Sequence, residues 1–341
     1  MTDLQKTDSA EMVSTKPAFD METAGRVIEE FLADQGVRPS SRRTYKAALR
    51  SFFRWLIAEG LTGEQLRPRH INAFVDHLKT APQKKPIKNG EPVIVEGAKQ
   101  GRSALTICNY LTALRRFFAW MESEGRGANV ARNVKGLKQG DEFRKRPLSV
   151  EDARRLMEYA ETLPLRERAL INLLIRTGIR TIEAARADVA DISRVSGVRV
   201  LMVHGKGRDD KSELVELSER TYQILSEYLE TRQGAELSEP LFLSGHRGSK
   251  TGRLSTRAIS QIAKDALKAA GVAIGHDSHF YTAHSLRHTF ATQLMRLDVP
   301  AEDVQRAMRH ASSDTTKRYT RTVEKELMLK RGVSGRLDTV F

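Results

Sequence analysis

His284-Ser285-Leu286-Arg287-His288-Thr289-Phe290-Ala291-Thr292, followed by His310 and Tyr319, decides how this chain is read. It gathers histidines, an arginine and a tyrosine within 36 residues. His284 and Arg287 are three apart, so in a helix both face one side. The same stretch also tempts a zinc reading, because His276, His279, His284 and His288 cluster and the last two are four apart. Ser285 stands where the metalloprotease pattern needs glutamate. A metallohydrolase would also leave Lys206, Tyr319 and a basic N-terminal half unexplained.

Outward from that stretch, the 341 residues suffice for two domains, each with its own core. Lysine and arginine number 57 against 43 acidic residues, a net charge of +14, which favours a polyanionic partner. Cys108 is the only cysteine, so intrachain disulfides and cysteine zinc sites are excluded. Its apolar neighbours mark it as a small core residue. No apolar run is long enough for a membrane span and the N-terminus lacks a signal-peptide core, so an intracellular protein is expected.

Residues 1–18 read as a loose polar tail. Helical patterning covers Ala24 to Leu32, breaks at Gly36-Val37-Arg38-Pro39, and resumes after Ser40 or Ser41 as N-cap. In the second helix Tyr45, Leu49, Phe52 and Leu56 form one face, while Arg43, Lys46, Arg50 and Arg54 line another. Between Arg38 and Trp55 lie six basic residues and no acidic one. A solvated face commonly explains a charge stripe, but one without counter-charges is better explained by phosphates. A third helical stretch spans Arg69 to Leu78, and another runs from Ser103 to Glu122 with Arg115 and Arg116 near its edge. Between them, 82–101 reads as an insert whose Asn89-Gly90 suggests a hairpin restricted to an edge by prolines.

Gly136 to Pro147 lacks apolar periodicity and ends in a basic cluster, so the boundary is placed there. The expected organisation is a domain at 19–138, a linker at 139–146, a second domain at 147–333 and a tail at 334–341. In the second domain Ser149 begins a helix to Ala160, and another runs from Arg166 to Arg176 with Gly178 closing it. Val198 to His204 and Leu214 to Leu217 read as strands joined by a turn containing Gly205-Lys206-Gly207. Helices follow at Glu219 to Arg232 and Thr256 to Ala270, then through the motif region to about Lys330.

Transesterification at a phosphodiester needs an oxygen nucleophile, cations around the phosphorane and an acid for the departing oxygen. Arginines suit the phosphorane because the guanidinium donates two parallel hydrogen bonds and stays charged. Lysine or histidine suits proton transfer because its pKa can be moved. Arg180, Lys206, His284, Arg287, His310 and Tyr319 supply such parts.

Taken together, these residues resemble the tyrosine site-specific recombinases, the family of phage integrases and chromosome-dimer resolvases. The resemblance covers nearly the whole chain. Arg180 and Glu183 match the family's Arg-x-x-Glu box, Gly205-Lys206-Gly207 its hairpin, and His284 to Thr292 its His-x-Leu-Arg-His box. His310 and Tyr319 keep its nine-residue interval. The N-terminal Ser/Thr-x-x-x-Tyr pattern and Leu114 to Trp120 look like its core-binding helical domain. One box alone is weak evidence, whereas five in order are specific.

The resemblance implies a mainly α protein. Its N-terminal helical, SAM-like core-binding domain would clamp DNA, and its C-terminal mixed α/β catalytic domain would carry a small antiparallel sheet. Tyr319 would attack the scissile phosphate to give a 3′-phosphotyrosine. Arg180 and Arg287 would clamp the non-bridging oxygens with His310 assisting, Lys206 would protonate the leaving oxygen, and His284 would act as base. Glu183 would orient Arg180. DNA contacts are expected from Arg43, Lys46, Arg50, Arg54, Arg115 and Arg116.

The family's partners would be double-stranded DNA with an inverted-repeat core site and a homotetramer on two sites, acting through a Holliday junction. The work would be integration or excision of a mobile element, or resolution of dimers, in the cytoplasm on nucleoid DNA, without cofactor, metal or membrane. A catalytically silent DNA-binding relative is the alternative. The piece after Tyr319, including Val323 to Leu329, is amphipathic and is expected to dock on a neighbour. One departure matters: Met308-Arg309-His310 stands where the family usually has Leu-Gly-His. Two consequences are open, a different turn before His310 or a further phosphate contact from Arg309.

Overall fold

The computed structural model describes residues 20–37, 39–82, 85–87, 90–93, 100–137, 146–205, 210–232, 234–245, 251–274, 280–309 and 323. The chain divides into two compact units, Met1–Gly140 and Asp141–Phe341.

The first unit is built on four helices, α1 (Met21–Asp34), α2 (Pro39–Ala58), α3 (Pro68–Thr80) and α4 (Ala104–Ser123). Asp20 caps α1 by accepting from the Thr23 amide at 2.8 Å, and Ser103 caps α4. The start of α2 differs from the sequence expectation. Proline takes the first helical position and both serines fall inside the first turn, because proline's fixed φ suits N1 and its missing N–H costs nothing there. The core is aromatic: Phe52 meets Phe74 edge-on at 5.2 Å between centroids, and Phe31 meets Phe117 likewise at 5.4 Å. The indole of Trp120 donates to Asp34 at 2.9 Å, joining α4 to α1. Strands β1 (Lys85–Ile87) and β2 (Gly90–Val93) pair antiparallel within the insert.

In the second unit, α5 (Val150–Ala160) starts at Ser149, whose hydroxyl accepts from the Asp152 amide at 2.9 Å. Helix α6 (Leu165–Thr177) buries Ala169 to Ile175 without interruption, so it is the central helix of this unit. It packs against α5 and against α8 (Glu219–Glu230), α9 (Thr256–Ala269) and α10 (Ala283–Arg296). Between α7 (Thr181–Arg186) and α8 lies a three-stranded antiparallel sheet, β3 (Ile192–Val195), β4 (Val198–Val203) and β5 (Glu213–Glu216). Leu201 sits opposite both Ile192 and Val215. Leu201, Val203 and Val215 turn inward, whereas Val195, Val198 and Leu214 stay exposed.

Strand β3 was not expected from the sequence. Its turn is Ser196-Gly197, both at positive φ, which matches the two-residue hairpin geometry. Beyond β5, α11 (Ala301–Ala307) follows α10. Val323 is buried in its own unit, in a small cluster with Ala291, Met295, Val304 and Met308. The rest of 324–329, with its expected docking, lies outside the described residues. Among the described residues no helix is long and apolar enough to cross a membrane.

Candidate active site

Helix α6 ends at Gly178 in the left-handed conformation, φ 59°. A Cβ there would meet Phe290 Cδ1 at 2.5 Å, so the close packing of α6 on α10 also requires glycine. The chain turns at once, and Arg180 becomes the N-cap of α7. Its amide donates to Glu183 Oε2 at 2.9 Å and its Nη1 to Oε1 at 2.5 Å, while Nη2 donates to the Arg309 carbonyl at 2.8 Å.

Arg287 arrives from α10, buried, and donates to the carbonyls of Gly178 and Met308. Both guanidiniums are therefore held by the same short turn after α11. Helix α10 itself starts at Thr282, whose amide donates to the Ser285 hydroxyl at 3.2 Å. One turn before Arg287, exposed His284 sits edge-on to His288 with centroids 4.6 Å apart.

Arg180, His284 and Arg287 share one cavity of about 670 Å³. Its lining also includes Arg257, Ser260, Gln261 and Lys264 of α9. The sequence reading passed over these four, although their i, i+3, i+4, i+7 spacing marks the polar face of an amphipathic helix. Two arginines, a third arginine and a lysine make the cavity strongly electropositive.

Behind the cavity Glu183 is buried. Burial works to raise its pKa, but Arg309 and Arg180 outweigh this and hold it below the usual carboxylate range. Arg309 lies against it, Nη2 to Oε2 at 3.0 Å, with both side chains only 4% exposed. The expectation of a further phosphate contact from Arg309 is thereby corrected. The left-handed turn is kept, at φ 52°, and the guanidinium is directed inward to a buried carboxylate. Lys206, His310 and Tyr319, as well as His276 and His279, lie outside the described residues.

In the first unit, Arg43 and Arg50 are exposed on α2. The stripe is not free of counter-charge: Glu29 of α1 pairs with Lys46 and, at 3.4 Å, with Arg42. That partner is invisible within α2 because it comes from the preceding helix. Arg54 is half-buried and is not without a partner. Arg115 donates to the Val134 carbonyl and so ties down the end of the unit, while Arg116 lies 5.8 Å from the Tyr45 ring centroid.

Comparison with known proteins decides the family. Residues 146–326 match the Phage integrase family model. The chain belongs to the phage integrase family, the tyrosine recombinases. Its members cut and rejoin DNA strands through a tyrosine intermediate. The chain is 30% identical over 279 residues to Tyrosine recombinase XerC of Thermodesulfovibrio yellowstonii, covering 76% of this chain and 85% of that one. It is 32% identical over 249 residues to Tyrosine recombinase XerD of Mycobacterium leprae, covering 69% and 74%.

Among solved structures, XerH recombinase in a post-cleavage complex with palindromic difH substrate shares the fold. Its TM-score is 0.67 at 19% identity, over 93% of this chain and 85% of that chain. A lambda integrase tetramer bound to a Holliday junction gives a TM-score of 0.62 at 18% identity, over 89% and 78%.

Proposed function

We propose that this chain is a site-specific recombinase that cuts and rejoins double-stranded DNA through a 3′-phosphotyrosine at Tyr319. The observation that carries the reading is the convergence of Arg180 and Arg287 on one cavity, both braced by the turn that leads into His310. Two fixed guanidiniums, each with backbone carbonyls holding one edge, are preorganised for a phosphate and for the extra charge of its phosphorane.

In the cleavage step Tyr319 Oη bonds to phosphorus as the bond to the 5′ oxygen breaks. His284 takes the phenolic proton, Lys206 supplies one to the leaving oxygen, and His310 donates a hydrogen bond to the phosphorane. Rejoining reverses the sequence with a 5′-hydroxyl from another strand. The phosphotyrosine conserves the bond energy, so the reading calls for no nucleotide cofactor and no metal. The first unit acts as the DNA clamp, with Arg43 and Arg50 on phosphates, and α9 lends Arg257 and Lys264 to the same backbone. Four protomers on two inverted-repeat sites exchange strands through a Holliday junction; the lambda integrase tetramer of like fold supports this assembly.

The test is covalent trapping on a randomised pool of nicked duplexes, comparing the wild type with Tyr319→Phe. DNA that stays attached after denaturation, maps to Tyr319 and disappears in the variant is the expected result. Sequence-selective binding with no adduct from the wild type would replace the reading with a catalytically silent DNA-binding protein.

A further inference from the structure

Arg309 is the residue in this neighbourhood whose role the recombination chemistry does not already supply. A left-handed, non-glycine residue is uncommon and carries backbone strain. A buried guanidinium is costlier still unless it is paired. Both features coincide at Arg309.

Its contacts account for them. Glu183 divides its two oxygens: Oε1 receives Arg180 Nη1 at 2.5 Å, while Oε2 receives the Arg180 amide at 2.9 Å and Arg309 Nη2 at 3.0 Å. Arg309 Nη1 donates to the Ala307 carbonyl at 2.7 Å, which fixes the side chain over its own turn. The Arg309 carbonyl in turn accepts from Arg180 Nη2 at 2.8 Å. One residue therefore touches Arg180 by two routes, through the carboxylate on one edge of the guanidinium and through a carbonyl on another.

We propose that Arg309 is a positioning residue that sets the forward reach of Arg180 by sharing the charge of Glu183. A carboxylate facing Arg180 alone attracts the guanidinium with its whole charge and draws it back from the cavity. With Arg309 taking part of that charge, Arg180 is oriented by Glu183 without being neutralised by it, and it keeps positive charge for the scissile phosphate. Arg309 itself, 4% exposed and directed at Glu183, makes no contact with DNA in this arrangement. The inference rests on the recombinase reading, since it assumes a phosphate in the cavity.

The experiment measures single-turnover cleavage by the wild type, Arg309→Met and Arg309→Gly. Its substrate is a nicked duplex recovered from a random pool by covalent trapping on the wild type. Three forms of that duplex are compared, with a phosphate or with either diastereomer of a methylphosphonate at the scissile position. The expected result with phosphate is a loss of about a hundredfold in both variants, the scale of a misplaced catalytic group, with DNA affinity unchanged.

With one methylphosphonate diastereomer the gap to the wild type narrows at least tenfold. The methyl group there replaces the charged oxygen that Arg180 faces. A purely structural role would instead lower affinity, thermal stability and cleavage of all three substrates together, and that pattern overturns the proposal. Wild-type rates in both variants overturn it as well. Should Arg309→Met fail to fold, Arg309→Gly decides alone, because glycine suits φ 52°. If the wild type forms no adduct, the recombinase reading falls and this proposal with it. An adduct from the wild type with insensitive variants sinks only the proposal.

Discussion

Glu183 shows how one buried carboxylate joins catalysis to stability. It is 4% exposed and faces Arg180 and Arg309, so its removal leaves Arg309 as an uncompensated buried cation. Breaking such a pair from one side costs about 3–5 kcal/mol, and Glu183→Gln is expected to destabilise the second unit on that scale. Adding Arg309→Met removes the stranded charge, so the double variant should recover more than half of the loss in urea unfolding.

The pH dependence has a definite sign. The folded pKa of Glu183 lies below its ordinary value of 4.5, so its stabilisation is complete above that value and fades as pH falls through the folded pKa. The gap between wild type and Glu183→Gln should therefore be constant at neutral pH and close on acidification. A gap that widens in acid would contradict the assignment. None of this was legible in the linear sequence beyond Arg180 and Glu183, which sit three apart. The partner that completes the cluster is 126 residues away, and only folding brings it there.

At the level of elements, the junction between α6 and α7 is where sequence and structure agree most closely. A run of apolar residues ending at Gly178 predicts a left-handed stop, and the stop is there at φ 59°. What glycine also does was not legible: it lets Phe290 of α10 close against the backbone, and its carbonyl receives Arg287. Gly178→Ala combines a strained φ with a Cβ 2.5 Å from Phe290 Cδ1. About 2–4 kcal/mol of destabilisation is expected from strain plus overpacking. Phe290→Leu in the same chain should return the steric part and leave the φ strain of about 1 kcal/mol. If the second substitution recovers nothing, the contact is not the cause.

The missed strand β3 has the opposite lesson. Ile192 to Val195 is short and partly exposed at a sheet edge, and it gains its hydrogen bonds from β4. Its own periodicity was therefore weak, although Ser196-Gly197 was a usable turn signal. The site box, by contrast, was legible because His284 to Thr292 lies within a single helix, α10.

For the whole molecule, a charge of +14 sets how binding must depend on salt. Each phosphate neutralised releases counterions, so the logarithm of the association constant falls linearly with that of salt, by about 0.9 per contact. Net charge alone does not say which cations contribute. Arg43 and Arg50 are exposed on α2, whereas Lys46 and Arg42 share Glu29. An exposed pair of that kind is worth about 0–1 kcal/mol, so it yields readily to a phosphate. The freed carboxylate then repels the DNA, and the net gain is smaller than for an unpaired arginine.

Fluorescence anisotropy of a labelled duplex over a salt series should therefore separate the three positions. Arg43→Gln and Arg50→Gln should each lower the slope by about one. Lys46→Gln should lower it by less, and Glu29→Gln should raise affinity at every salt concentration. Equal effects for Arg43, Lys46 and Arg50 would mean that the Glu29 pairing is immaterial in the complex. A flat salt response from the wild type would remove the phosphate role of this helix altogether, since a clamp of this charge cannot hold DNA without displacing counterions.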